Sequence, residues 1–264
     1  MIQIGNDKIK DIYVSSDKIK EVYYGSELVW GEIEYIQDGY WVHKDTNAVT
    51  YFGADADFIT GGIMSQPSWR YDCSEVNIPE GVTSLWASCL NGSSSLTSIT
   101  LPESVTSLGA LCFRNCSALA SITLPEGVTS LGNNCFTDCS SLTSITLPES
   151  VVSLGGNCFE RCTSLTSITL PESLTSLGVS CFNGCSSLAS ITIPESVTSL
   201  GNYCFRDCTS LTLATVLPAT PPTLGTNAFS KVHTSLNIKV RSPYVNAYKA
   251  ATNWVAYAAK ISAI

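Results

Sequence analysis

Paired cysteines are the residues of this sequence best suited to chemistry. Two thiols lie four residues apart in five consecutive segments, at Cys112/Cys116, Cys135/Cys139, Cys158/Cys162, Cys181/Cys185 and Cys204/Cys208. Stacked thiols could form disulfides or bind a soft metal, but zinc needs four ligands in a closed tetrahedron. An earlier segment has Cys89 and Ser93 at the two positions, and a later one has Ala228 and Val232. Because these positions accept Ala and Val, we predict buried free thiols that pack as small apolar groups, with no metal or other cofactor.

A row of glutamates is the second regular array. One carboxylate recurs in each segment, at Glu80, Glu103, Glu126, Glu149, Glu172 and Glu195. If neighbouring segments stack about 4.8 Å apart, as strands do, the carboxylates could share a cation such as calcium. Solvent screens such a row, so we favour a solvated ladder over a calcium site.

Hydroxyl side chains form a third array, at Ser98/Thr100, Ser121/Thr123, Ser144/Thr146, Ser167/Thr169 and Ser190/Thr192. A regular row of hydroxyls could organise water, so ice binding is one alternative. The simpler interpretation is that small polar and β-branched residues suit an exposed strand.

Classical catalysis has little material in this chain. The only histidines, His43 and His233, flank opposite ends of the repeated region, and no Gly-x-x-x-x-Gly-Lys phosphate loop occurs. Asp55 and Asp57 are expected to be solvated loop residues. We therefore predict that the protein is not an enzyme.

An internal repeat must position all of these residues. Pro79, Pro102, Pro125, Pro148, Pro171 and Pro194 are each 23 residues apart, within six clear copies of one sequence. A seventh copy, from Leu211 to about Val232, is degenerate, and Leu236 to Val240 resembles the first strand of an eighth. A unit of this length cannot enclose a core, so its apolar face must be buried against its neighbours. The repeat predicts a solenoid with one unit per rung.

Each unit predicts its own elements. Alternation predicts that Thr97, Ser98 and Thr100 point outwards, and that the apolar positions point inwards, as at Leu96, Ile99, Leu101, Val105, Leu108 and Phe113. Pro102 ends the first strand, Gly109 permits a turn, and the stretch from Cys112 to Cys116 fits a single helical turn. The predicted fold class is a leucine-rich-repeat solenoid of short parallel strands and single helical turns, mainly β.

The repeat also divides the chain into regions. We expect an N-terminal β-strand attachment segment at 1–31, a connector and cap at 32–72, the solenoid at 73–233, and a last strand with a helical cap at 234–264. Ser242-Pro243 is a plausible helix start, because proline is favoured at the first helical position. The aromatic residues expected to close the last rung are Tyr244, Tyr248, Trp254 and Tyr257.

Charge excludes some partners. The net charge is −8, and residues 71–217 carry 3 basic and 11 acidic side chains, so a phosphate backbone would be repelled. No apolar run approaches the roughly 20 residues needed to span a membrane. The stretch from Met1 to Asp11 lacks the apolar core of a signal peptide, from which we expect no export by the ordinary secretory route if the chain is complete.

The unit Leu-x-x-Ile-x-Leu-Pro-x-x-Val-x-x-Leu-Gly-x-x-Cys-Phe-x-x-Cys resembles the BspA-like leucine-rich repeat family of bacterial surface and phage-associated proteins, over residues 73–233. The resemblance implies adhesion or partner binding without enzymatic activity. One departure is the first cysteine of each unit, where the family usually has Ala. The Lys-Ile-Lys strands that end in Leu28-Val29-Trp30 resemble segments of phage and prophage tail proteins.

Variation between copies indicates where a ligand could be recognised. It concentrates beside the cysteines, in pairs that we align as Trp86/Ala87, Ala110/Leu111, Asn133/Asn134, Gly156/Asn157, Val179/Ser180 and Asn202/Tyr203, and as Leu90/Asn91, Arg114/Asn115, Thr137/Asp138, Glu160/Arg161, Asn183/Gly184 and Arg206/Asp207. Trp, Tyr and Arg are enriched at binding hot spots. The predicted ligand-binding residues are therefore Trp86, Arg114, Arg161, Tyr203 and Arg206. The alternative is that these positions are merely free to vary.

These observations predict a non-enzymatic adhesion or receptor-binding protein. The leading expectation is a phage or prophage tail component of the virion, a possible homotrimer, that recognises a protein or glycan on a host surface. Residues 1–31 would attach it to other tail proteins. The alternative is a gut-bacterial cell-surface protein that binds host protein or glycan.

Overall fold

A computed structural model describes residues 74–264, except 79–81 and 86, together with the backbones of eight strands before residue 52. Those strands are β1 (Gln3–Ile4), β2 (Asp7–Lys8), β3 (Asp11–Ser15), β4 (Lys18–Tyr24), β5 (Glu27–Trp30), β6 (Ile33–Ile36), β7 (Tyr40–His43) and β8 (Ala48–Tyr51). The predictions for Asp55, Asp57, Glu80 and Trp86 concern residues that lie outside the described part of the chain.

Each repeat contributes two short strands to a parallel solenoid, which confirms the predicted fold class. The first strands of successive units are β9 (Glu75–Asn77), β11 (Ser98–Thr100), β13 (Ser121–Thr123), β15 (Ser144–Thr146), β18 (Ser190–Ile193), β20 (Leu213–Val216) and β22 (Asn237–Val240), with a parallel bridge from Thr146 to Thr169 in the remaining unit. The second strands are β10 (Ser84–Leu85), β12 (Ser107–Leu108), β14 (Ser130–Leu131), β16 (Ser153–Leu154), β17 (Ser176–Leu177), β19 (Ser199–Leu200) and β21 (Thr223–Leu224), and they form one sheet.

The core follows the predicted alternation. Leu96, Ile99, Val105, Leu108 and Phe113 are buried, Leu101 is half-buried, and Thr97, Ser98 and Thr100 are exposed. The phenylalanines at Phe113, Phe136, Phe159, Phe182, Phe205 and Phe229 stack with ring centroids 5.1 to 5.5 Å apart and planes within 10° of parallel. One aromatic column therefore runs through the interior from the second rung to the seventh.

The segment between the cysteines differs from the expected helical turn. In the second rung, Arg114 N–H donates to Leu111 O at 3.2 Å and Cys116 N–H donates to Phe113 O at 3.1 Å, which are bonds of two consecutive tight turns. The N–H groups of Leu111, Phe113 and Asn115 instead donate to carbonyls of the next rung, at 2.8 to 2.9 Å. A helical turn would direct these N–H groups along its own axis, so the bonds between rungs exclude it.

The C-terminal cap has the helix that Ser242-Pro243 predicted and a strand that the sequence did not reveal. A short 3-10 turn, Ser242–Tyr244, leads into α1 (Val245–Ala250), and a second 3-10 segment, Trp254–Lys260, precedes β23 (Ile261–Ala263). Strand β23 pairs in parallel with β22. No helix among the described residues is long and apolar enough to cross a membrane.

Aromatic residues close the last rung, as predicted. Tyr248 and Trp254 are fully buried, and their ring centroids lie 5.1 Å apart. Tyr248 O–H donates to Pro218 O and Trp254 Nε1–H donates to Pro222 O, each at 2.7 Å. These two bonds satisfy the polar atoms of the buried rings, which makes the aromatic cap compatible with an apolar core.

The N-terminal strands pair mainly in antiparallel fashion. Strand β4 pairs with β3, β5 and β6, and the pairing continues through β7 to β8. Strand β8 then pairs in parallel with β9, the first strand of the solenoid. The proposed boundaries at 31 and 72 remain predictions, and the pairing of β4 with β6 spans the first of them.

Candidate binding surface

The variable positions form one edge of the solenoid, which we call the turn edge. It consists of the positions equivalent to Ala110, Leu111, Arg114 and Asn115 in each rung. The backbone is left-handed at two of the four positions. The φ angles are 54° to 64° at Ser88, Leu111, Asn134, Asn157, Ser180, Tyr203 and Asn227, and 56° to 83° at Gly92, Asn115, Asp138, Arg161, Gly184, Asp207 and Lys231.

A left-handed backbone restricts which residues these turns accept at low cost. Gly, Asn and Asp tolerate this conformation best, and they occupy eight of the fourteen positions. Leu111, Arg161, Tyr203 and Lys231 are large residues that adopt it at a cost of about 1 kcal/mol each. The backbone of the turn edge therefore favours Gly, Asn and Asp at these positions, yet four large residues occupy them.

The strand register corrects the alignment of the first rung. Leu85 pairs with Leu108, and Ser88 N–H donates to Ala110 O at 2.8 Å. Ala87 and Ser88 are thus the counterparts of Ala110 and Leu111, and Leu90 belongs to the buried phenylalanine column. The predicted pairs Trp86/Ala87 and Leu90/Asn91 were wrong by one residue. This register assigns Trp86 to the column of Gly109, outside the turn edge, and its binding role remains a prediction.

Arg161 is held by an acidic residue of the preceding rung. Its Nε and Nη2 donate to the two carboxylate oxygens of Asp138, at 2.6 and 2.7 Å. The carboxylate raises the pKa of the guanidinium, mainly through these hydrogen bonds. The side chain remains 58% exposed, so the ion pair fixes an arginine that a partner can still reach.

Tyr203 and Arg206 form the one contact between predicted ligand-binding residues among those described. The Arg206 guanidinium lies 5.5 Å from the centre of the Tyr203 ring, in cation–π geometry. Arg206 also pairs with Asp207 at 3.1 Å, and Lys231 Nζ lies 3.8 Å from the other oxygen of that carboxylate. Asp207 was among the variable positions but not among the predicted ligand-binding residues, and Lys231 was in neither set. Both occupy the column of Arg161, in which positions recur every 23 or 24 residues.

The arginines are distributed along the turn edge and do not form one cluster. Arg114, Arg161 and Arg206 are the only basic residues in 71–217, and they lie two rungs apart, or about 10 Å. Arg114 is half-buried and makes no ion pair within the described part of the chain. All the basic residues between positions 71 and 217 therefore lie on the turn edge.

The glutamate ladder is exposed at every described rung and engages groups of the protein itself. Glu149 accepts a hydrogen bond from the backbone N–H of Glu172 at 3.1 Å. Arg241 pairs with both oxygens of Glu195, at 2.8 and 3.1 Å. Within the described residues, no group of three or more His, Cys, Asp and Glu side chains could hold a metal ion.

The described cysteines are buried, as the packing interpretation predicted, and no disulfide joins them in the structure. Burial raises the pKa of the Cys208 thiol to about 12, and it holds the pKa values of Cys135 and Cys181 well above the usual range of a thiol. The second thiol of each pair also donates to a carbonyl of the preceding rung at 3.1 to 3.2 Å, as Cys139 does to Phe113 O. No local sequence pattern predicts this bond, because it joins residues 26 positions apart.

Comparison with known proteins identifies the repeat. A family model described as BspA type leucine rich repeat region matches six copies, over residues 69–185 and 129–251. No curated protein matches the chain. The match begins at residue 69, so the resemblance of residues 1–31 to phage tail proteins stays a prediction.

Several solved structures of leucine-rich repeat proteins are similar to this chain. A leucine-rich repeat protein of T. pallidum is 27% identical with a TM-score of 0.56, over 73% of this chain and 85% of that one. A leucine-rich repeat protein from Bacteroides ovatus is 25% identical with a TM-score of 0.42, over 64% and 56% of the two chains. A leucine-rich cell surface protein from Faecalibacterium prausnitzii is 19% identical with a TM-score of 0.37, over 78% and 75%. Since the family model covers more than half of the sequence, the chain belongs to the BspA-type leucine-rich repeat family.

Proposed function

We propose that this chain is a non-catalytic adhesion protein of a bacterial cell surface, which binds a host protein or glycan through its turn edge. The family match and the similarity to a bacterial leucine-rich repeat protein support this role over the virion component expected first. Repeat solenoids present extended surfaces for binding, and this one has no constellation of catalytic residues in its described part.

One observation carries the choice of surface. Arg114, Arg161 and Arg206 supply every positive charge of residues 71–217, and all three lie on the turn edge. The rigid rungs hold these side chains at fixed separations, which reduces the entropy lost on binding. Tyr203 adds an aromatic ring beside one guanidinium. The edge thus combines Arg and Tyr, which dominate binding hot spots, with a scaffold that keeps them in place.

Binding to cultured human epithelial cells tests the proposal. The full chain is labelled with a fluorophore and its binding is measured by flow cytometry over a concentration series. A variant carrying Arg114→Ala, Arg161→Asn, Tyr203→Asn and Arg206→Ala is expected to bind at least about tenfold more weakly, because several hot-spot contacts are lost together.

The matched control changes four exposed residues away from the turn edge, namely Glu103, Glu126, Glu149 and Glu172, each to Gln. We expect this variant to bind like the natural chain. Equal binding by the turn-edge variant, at an unchanged melting temperature, would show that the edge is not the recognition surface.

A tail component of a virion is the second candidate. It rests on the consecutive strands β3, β4 and β5 within the segment that resembles tail proteins. Detection of the chain by immunoblot in the envelope fraction of the producing bacterium supports the cell-surface role. Its recovery in purified phage particles, with attachment lost on deletion of residues 1–31, would support the virion role instead.

A further inference from the structure

A broad side of the solenoid carries no charge. We call it the hydroxyl face and define it by the positions equivalent to Ser94, Ser95, Thr97, Ser98 and Thr100 in six consecutive rungs. Of these thirty positions, 29 are Ser, Thr or Ala, and the exception is Leu213. None of them is buried. The chain has 14 basic and 22 acidic residues, so a face without a charged side chain over six rungs is distinctive.

The hydroxyl groups of this face are of two kinds. Every threonine in the column of Thr97 is bonded within the protein, since its hydroxyl donates to a carbonyl of the preceding rung at 2.9 to 3.4 Å, at Thr97, Thr143, Thr166 and Thr212. The columns of Ser98 and Thr100 make no such bond anywhere between residues 98 and 192, although both are exposed. Two adjacent columns therefore present hydroxyls whose donors and acceptors are available to a ligand.

The available hydroxyls are regularly spaced. Strands β13 and β15 pair in register, with Ser121 opposite Ser144 and Thr123 opposite Thr146. The bridge from Thr146 to Thr169 continues the Thr column into the next rung. Neighbouring rungs are about 4.8 Å apart, and the two columns are about 6.6 Å apart along each strand. Strand pairing therefore sets the register of the Thr column over three rungs, Thr123 to Thr169, and of the Ser column over two, Ser121 and Ser144.

We propose that the columns of Ser98 and Thr100 bind an uncharged polysaccharide in an extended conformation, which lies along the solenoid axis. A neutral ligand meets no unpaired charge there, and a polymer with a repeating hydroxyl pattern makes the same contact at every rung. A single hydrogen bond contributes little net affinity in water, so binding accumulates only along a chain. This surface is separate from the turn edge and does not depend on the function proposed for that edge.

Sedimentation with insoluble cellulose, and affinity electrophoresis in soluble uncharged β-glucan, test the proposal with the full chain. The key variant replaces Ser by Ala and Thr by Val in three rungs, at Ser121, Thr123, Ser144, Thr146, Ser167 and Thr169. Valine keeps the β-branched shape that suits a strand. We expect retention by at least one of the two polymers, at least about tenfold weaker binding by this variant, and no detectable binding of cellobiose.

The matched control replaces Thr97, Thr143 and Thr166 by Val, which removes hydroxyls that the protein already uses. It is expected to lower the melting temperature slightly and to bind the polymer within about twofold of the natural chain. Three results would overturn the proposal: no binding of either neutral polymer, equal binding by the key variant, or equal competition by the anionic polysaccharide polygalacturonate. Inhibition of ice recrystallisation without polysaccharide binding would identify ice as the occupant and would also overturn it. None of these results affects the binding of epithelial cells by the turn edge.

Discussion

The glycine column, formed by Gly109 and its equivalents, lies directly before the turn edge in every rung after the first. The glycine column is uniform there, whereas the turn edge is variable. A Cβ atom added at Gly132, Gly155, Gly178, Gly201 or Gly225 would lie 2.2 to 2.6 Å from atoms of the preceding rung's backbone. One residue later, at Gly156, the nearest atom would be 3.5 Å away. The difference shows that a repeat position is fixed by what its Cβ meets, because both positions lie on an equally regular backbone.

The largest effect should come from adding a methyl group to the glycine column. Gly178→Ala places Cβ against backbone atoms at 2.5 Å, which cannot move without separating the two rungs. We expect a loss of about 3 kcal/mol or more in unfolding free energy, measured by urea denaturation.

The matched control is Gly156→Ala, which adds the same methyl group in ordinary contact. It should leave stability unchanged or raise it by up to about 1 kcal/mol, because alanine restricts the unfolded chain. Similar destabilisation by both variants would contradict the contrast between the two columns.

The thiol columns should make the protein sensitive to alkali. Burial holds the pKa values of Cys158 and Cys181 well above that of an exposed thiol. Above about pH 8.5 these thiols ionise in the unfolded chain but stay protonated in the native one. The unfolded state then binds fewer protons, so the unfolding free energy falls as pH rises, by about 1.4 kcal/mol per thiol and pH unit.

Replacing Cys158 and Cys181 by Ala, the residue that the seventh rung has as Ala228, isolates this effect. Between pH 9 and 11 the slope of unfolding free energy against pH should become shallower by about 2.7 kcal/mol per pH unit. The control is the range below pH 8, where the natural chain and the variant should show the same slope of unfolding free energy against pH. An unchanged alkaline slope would mean that these thiols do not titrate on unfolding.

The smallest effect should be a gain. The hydroxyls of Ser104, Ser173 and Ser196 donate to a carbonyl of the preceding rung at 2.7 to 2.8 Å, but the third rung has Gly127 at this position. A Cβ at Gly127 would meet Val105 O and Thr106 Cγ2 at 3.4 Å, which leaves room for serine. Gly127→Ser should raise the unfolding free energy by about 1 kcal/mol, measured by thermal denaturation.

Gly127→Ala is the control for Gly127→Ser, because it adds the Cβ without the hydroxyl. The unfolding free energy of the serine variant should exceed that of the alanine variant by most of the expected gain of about 1 kcal/mol. If alanine stabilises as much as serine, the benefit comes from the unfolded chain and the hydrogen bond contributes nothing.

The sequence predicts most of the fold because a single repeat length determines how the rungs stack. The 23-residue spacing, the alternation around Ile99 and the helix start at Ser242-Pro243 each agree with the structure. The expected helical turn after Cys112 was wrong because local spacing cannot show that N–H groups donate to the next rung. Strand β23 lacked a repeat signal, since its three residues, Ile261–Ala263, follow a 3-10 segment outside the period.

The binding surface is harder to predict than the fold. Variation between copies identifies the turn edge, but the left-handed backbone at Leu111 and Tyr203 is invisible in residues that normally avoid it. The partner of Arg161 is Asp138, and only the stacking of rungs brings them together. The predicted alignment of the first rung was wrong by one residue, because Trp86 stands where the later rungs have the glycine that marks this column.

The regular register between rungs also bears on how such a molecule changes over generations. Strands pair so that Ser107 faces Ser130, Ser130 faces Ser153 and Ser153 faces Ser176. A duplication or deletion of one 23-residue unit in the coding sequence would join surfaces that already match. Both ends would keep their existing neighbours. The number of rungs can therefore change by recombination between repeats, while the C-terminal cap around Trp254 stays the same.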